Sequence, residues 1–119
     1  MQPKINARLL KDICGQDLQK ALMQVKQAVR GIVGDRFRLF LFGPRARGTA
    51  DKDSDVDLLV VLPDDLASFS VREAIRDAVY ELSIKTDYLF SVILVSESVM
   101  RQNRGFLFFK AVEEEGIEM

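Results

Sequence analysis

Apolar positions recur along this chain with two distinct periods, and they predict an alternation of helices and strands. Leu18, Leu22, Val25, Val29, Ile32 and Val33 fall at helical spacing, with Ala21 and Ala28 beside them. Asp17 is the expected N-cap of this helix and Gly34 its stop. A weaker helical pattern precedes it, through Ile5, Leu9, Leu10 and Ile13 up to Gly15. From Arg36 to Phe42 the pattern changes to strict alternation, Phe37, Leu39 and Leu41 against Arg38, Phe40 and Phe42, which predicts a strand. Gly43-Pro44 ends it, and Pro44 to Gly48 fits one helical turn. Ser54 to Leu62 reads as a second strand, whose unbroken Leu58 to Leu62 run predicts burial on both faces.

Ser70 and Glu73 have capping-box spacing, so a helix is expected to follow and to bury Val71, Ile75, Ala78, Val79 and Leu82. Tyr88 to Val95 predicts a third strand, Ser96 to Arg104 a short helix, and Phe106 to Glu115 a last helix stopped at Gly116. The consecutive apolar residues Phe106 to Phe109 cannot all face one core from a helix, so some should be exposed. A crossover helix between the second and third strands makes those two parallel. The expected fold is α/β (α+β): a small mixed three-stranded sheet with helices packed on one face.

Asp55 and Asp57 change this picture from architecture to chemistry. At positions i and i+2 of a strand they project from one face, where two like charges repel. Such a pair is useful to a divalent cation, and Mg²⁺ typically takes one or two carboxylates and fills its shell with water and phosphate. Taken alone, Asp-Ser-Asp is also ordinary turn chemistry.

Length and composition narrow the choices further. The 119 residues suit one domain, expected to span residues 1–119. Seventeen basic and eighteen acidic residues give a net charge of −1, which argues against a general grip on long nucleic acid. Cys14 is the single cysteine and there is no histidine, so an intramolecular disulfide, cysteine zinc clusters and imidazole chemistry are excluded and any metal must be held by oxygen. No apolar run is long enough for a membrane helix and no signal-peptide core opens the chain, so a cytoplasmic location is expected.

The run Gly43-Pro44-Arg45-Ala46-Arg47-Gly48-Thr49-Ala50, followed by Ser54-Asp55-Val56-Asp57-Leu58-Leu59-Val60, resembles the signature of the minimal nucleotidyltransferases. These are small stand-alone members of the DNA polymerase beta superfamily, with a Gly-Ser pair, ten residues, then Asp-x-Asp. Here ten residues, Arg45 to Ser54, separate Gly43-Pro44 from Asp55. The resemblance implies the nucleotidyltransferase fold and two-metal transfer of a nucleoside monophosphate, AMP from ATP, to a hydroxyl. It implies that Asp55 and Asp57 are catalytic and hold two Mg²⁺ ions. It places Gly43, Pro44, Arg45, Arg47 and Ser54 around the nucleotide, the amides of the Gly43 turn facing its phosphates. It further implies a separate helical HEPN-type partner, a toxin neutralised by adenylylation of a tyrosine.

Two departures are visible. Pro44 stands where the family has serine, which deletes a hydroxyl and an N–H, each worth about 1.5–3 kcal/mol toward a charged group. Ser91 stands where the family carries a third carboxylate on the strand after the crossover. Asp87, on the same strand parity but roughly 13 Å earlier along extended chain, is the remaining candidate for a third metal ligand. The alternative expectation is a catalytically weak or inactive relative that acts as a partner-binding antitoxin or interaction module, for its partner or for a second copy of the chain.

Overall fold

The structure is a computed structural model and describes residues 15–119; the pattern around Ile5 to Ile13 lies outside the described residues. Helix α1 (Gln16–Val33) buries Leu18, Ala21, Leu22, Val25, Val29 and Val33, as the spacing requires. Ile32, at the margin of that stripe, stays 36% exposed. Gly34, at φ 76°, turns the chain and donates its N–H to the Arg30 carbonyl at 2.8 Å. The N-cap is Gly15 rather than Asp17; Asp17 sits in the first turn, where its charge complements the helix dipole.

Strand β1 (Arg38–Phe42) leads into the single turn α2 (Pro44–Arg47), and β2 (Val56–Leu62) follows. Both strands begin two residues later than the alternation predicts. β1 and β2 pair antiparallel, Phe42 opposite Asp57 and Arg38 opposite Val61. After a 3-10 turn at Asp64–Leu66 comes α3 (Phe69–Lys85). Its cap is Ser68, whose hydroxyl accepts from the Val71 N–H, and Glu73 pairs with Arg76 instead of completing a capping box at Ser70. β3 (Phe90–Ser96) then runs parallel to β2, as a helical crossover demands.

Helix α4 (Glu97–Gln102) is capped by Ser96, and α5 (Leu107–Glu115) ends at Gly116. A two-residue strand β4 (Ile117–Glu118) adds to the free side of β1, giving the order β3-β2-β1-β4. The mixed sheet therefore has four strands, not three. Arg38 grips Glu118 through two hydrogen bonds of 3.0 and 2.8 Å, and the Met119 N–H donates to the Leu39 carbonyl.

Helices cover both faces of the sheet, where one covered face was expected. Leu39, Leu41, Val56, Leu58, Val60 and Leu62 join α1 and α3 in the larger core. Phe40, Leu59 and Val61 point the other way and meet Met100, Phe109 and Val112 of α4 and α5. The whole Leu58 to Leu62 run is buried, so truncating one of its leucines to alanine should cost about 2–5 kcal/mol. On α5, Phe109 is buried and Leu107 86% exposed, while Phe106 at its N-cap is 64% exposed, a division the crowded apolar run predicted. Among the described residues no helix is long and apolar enough to cross a membrane.

Candidate active site

The alternation along β2 decides where its acids point. Val56, Leu58 and Val60 enter the α1–α3 core, so Asp57 projects with Leu59 and Val61 toward the second face. Asp55 lies one residue before the strand and is exposed, while Asp57 is partly buried. Burial raises the Asp57 carboxyl above its ordinary range, the Asp55 charge raises it further, and Arg47 pulls it back. Among the described residues neither carboxylate has a hydrogen bond or an ion pair.

The Gly43 turn touches this pair directly. Gly43 has φ 74° and ψ −161°, a combination open to glycine alone. A Cβ built there would collide with Asp57 Oδ2 and stand 3.1 Å from its Cγ. The two halves of the sequence motif are thus in contact, and the carboxylate occupies the space that a side chain at Gly43 would need. Pro44 opens α2, Ala46 is buried beneath it, and the Ala46 and Arg47 N–H groups both reach the Gly43 carbonyl. Phe42, opposite Asp57, carries the ring of Phe108 edge-on at 5.3 Å and forms a wall beside the acids.

The remaining candidates divide. Arg47 is exposed and holds Glu115 at 3.1 Å, yet it is close enough to act on Asp57. Arg45 turns its guanidinium to the Ser54 carbonyl at 2.9 Å and over the Tyr88 ring at 5.5 Å. The Ser54 hydroxyl is engaged within its own turn, with the Asp51 N–H and carboxylate. Asp87 is not brought to the pair. It lines a shallow depression with Asp17, Lys20 and Gln24 of α1, the helix on the opposite side of the sheet from Asp57. Among the described residues no group of three or more His, Cys, Asp or Glu is placed to hold a metal. The β2–β3 register sets Ser91 directly beside Asp57.

Tyr88 and Glu115 carried no local signal. Each meets its arginine only through folding, Glu115 across 68 residues of sequence.

Comparison with known proteins agrees with this geometry. Residues 22–113 match the family described as the nucleotidyltransferase domain. Over 104 residues, 87% of this chain and 99% of the relative, the sequence is 27% identical to a Methanocaldococcus jannaschii protein named for protein adenylyltransferase activity. A Sulfolobus solfataricus crystal structure named as a nucleotidyltransferase superposes with a TM-score of 0.55 at 17% identity, over 95% of this chain and 87% of that one. The Cid1 poly(U) polymerase with bound MgGTP gives a TM-score of 0.47 at 24% identity, over 66% of this chain and 22% of that longer one. The chain belongs to the nucleotidyltransferase domain family, and nucleotidyl transfer is its class of chemistry.

Proposed function

We propose that this protein moves AMP from ATP to a hydroxyl of another protein, a tyrosine of a separate helical HEPN-type partner, using Mg²⁺ held by Asp55 and Asp57. The observation that carries the reading is the contact between the Gly43 turn and Asp57, with Asp55 adjoining and both carboxylates unpaired among the described residues. The name of the M. jannaschii relative supports a protein acceptor.

The residues fit the metal. Two acids that repel each other, one of them held above its ordinary range by burial, are what a hard divalent cation relieves. Two protein carboxylates with water and phosphate oxygens are also the usual Mg²⁺ donor set. An ion held there would offset the negative charge that builds up during an in-line displacement at the α-phosphorus. The chain's own groups do the rest. The Gly43 turn keeps side chains clear of the phosphates, and Arg47 adds positive charge at the rim. The wall of Phe42 and Phe108 bounds one side. The acceptor oxygen bonds to the α-phosphorus and pyrophosphate leaves. Ser91 is no base near neutrality, so the hydroxyl proton passes to solvent at the exposed side of the pair.

Purified protein, labelled ATP, Mg²⁺ and the candidate partner provide the test. Transfer of label to the partner, lost in Asp55→Ala and in Asp57→Ala, is the expected result. Wild type and both variants behaving alike would remove the catalytic reading.

A second reading rests on Ser91 beside Asp57 and on the exposure of Phe106 and Leu107. Here the protein is a weak relative that neutralises its partner by binding alone. Equal neutralisation by the protein lacking both aspartates would favour it.

A further inference from the structure

We infer that Arg45 is a positioning residue that fixes the backbone bearing Asp55, through the Ser54 carbonyl and the Tyr88 ring, and is not a phosphate ligand. The inference rests on the proposed role of Asp55 and Asp57 and assigns a task within that site.

Asp55 lies outside β2, so the sheet ladder does not by itself fix its direction. Its two chain neighbours are each tethered. On one side the Ser54 carbonyl accepts from Arg45 Nη2 at 2.9 Å. On the other the Val56 N–H donates to the Leu89 carbonyl at 2.8 Å. Arg45 is itself well seated. Its neighbour Ala46 is buried, its Nε is buried with no partner among the described residues, and its guanidinium lies over Tyr88. Tyr88 packs against the larger core and lies 6.5 Å from the Phe90 ring, which ties the platform under the arginine to the start of β3. One planar group thus joins the α2 turn, the segment before Asp55 and the start of β3. A lysine, a point charge without a fork or a flat face, cannot serve the carbonyl and the ring together.

The test compares Arg45→Lys, Tyr88→Leu, their combination, and Tyr88→Phe, which keeps the ring. Mn²⁺ binding in the presence of α,β-methylene-ATP is measured by calorimetry, alongside kcat and KM for ATP and thermal unfolding as a control on folding. Arg45→Lys and Tyr88→Leu should each weaken Mn²⁺ binding about tenfold, the scale on which supporting residues act on a metal site. Both should lower kcat while KM for ATP stays within about twofold of wild type. The double variant should lose little more than either single one, because the two side chains form one device. Tyr88→Phe should match wild type. Mn²⁺ binding unchanged in Arg45→Lys overturns the inference. So does a raised KM in Arg45→Lys with Tyr88→Leu silent, the signature of a phosphate ligand. If the wild type transfers no label but Mn²⁺ binding falls in both variants, the positioning role stands and the proposed activity does not. Should Tyr88→Leu fail to fold, Arg45→Lys against Tyr88→Phe decides.

Discussion

Asp57 Oδ2 sits where a Cβ on Gly43 would have to be. The turn that ends β1 and the acid that opens β2 are therefore shaped to each other, and the shape tolerates no side chain. Gly43→Ala must both leave a backbone conformation reserved for glycine and push the carboxylate aside. The expected cost is about 1–3 kcal/mol of stability. The expected loss in kcat is about 100-fold, the scale on which a misplacement of about 1 Å acts in a site built on positioning. Denaturant unfolding and label transfer measure the two effects separately, and full activity in a folded Gly43→Ala protein would contradict the proposed role of this contact.

The register that places Ser91 beside Asp57 makes position 91 the place to add a third acid. Ser91 is exposed, so a carboxylate there costs little in desolvation. Ser91→Asp should tighten Mn²⁺ binding about tenfold or more, since affinity for hard cations follows the ligand charge count. Without metal it should lower stability by about 0.2–1 kcal/mol through repulsion with its neighbour. Calorimetry with Mn²⁺ and unfolding in chelator check both signs.

Asp57 also predicts a pH dependence. Burial, then Asp55, raise its carboxyl above the ordinary 3.8, against a smaller opposing pull from Arg47. The folded state thus keeps this proton to higher pH than the unfolded chain does. Stability in chelator should fall as pH rises from the ordinary carboxylate value through the raised one, and stay lower above it. Asp57→Asn should remove that fall and, near neutrality, raise the melting temperature by about 2–4 °C, equivalent to about 0.5 kcal/mol of relieved repulsion. Mg²⁺ should stabilise the wild type and leave this variant unmoved. Thermal melts across pH, with and without the ion, provide the measurement.

Among the described residues Arg47 is the one basic side chain acting on Asp57, and Glu115 at the end of α5 holds it. Both partners are about two-fifths exposed, so the pair should contribute no more than about 1 kcal/mol to stability. Glu115→Gln should therefore leave unfolding almost unchanged. It should lower KM for ATP a few-fold by freeing Arg47, while Arg47→Gln should raise it. Steady-state kinetics on the two variants test this.

Local patterns carried most of the fold and the centre of the site. The stripe on α1, the buried run of β2, and the Gly43 to Asp57 spacing are features of neighbouring residues, and the structure contains each of them. Misjudged features depended on tertiary context. Asp17 and Ser70 are good caps in isolation, but Gly15 and Ser68 fill those places because both helices begin two residues earlier than expected. β4 is two residues long and has no period to read; it exists because β1 offers a free edge and Arg38 holds Glu118. The second helical layer was signalled by the two-sided burial of the Leu58 to Leu62 run, but which segment covers Phe40, Leu59 and Val61 is set by contacts distant in sequence, with α4 and α5. For Arg45, sequence established a cation beside the motif but not its direction, which Tyr88 and the Ser54 carbonyl set from elsewhere in the chain.

A crystal structure of the protein with Mn²⁺ and α,β-methylene-ATP, using the anomalous signal of the metal, tests the paired-acid site most directly. The expected result is a manganese peak within about 2.0–2.4 Å of oxygens from both Asp55 and Asp57, with the triphosphate over the Gly43 turn. Nucleotide bound elsewhere, or no peak at the two acids when the ion is saturating, would contradict it.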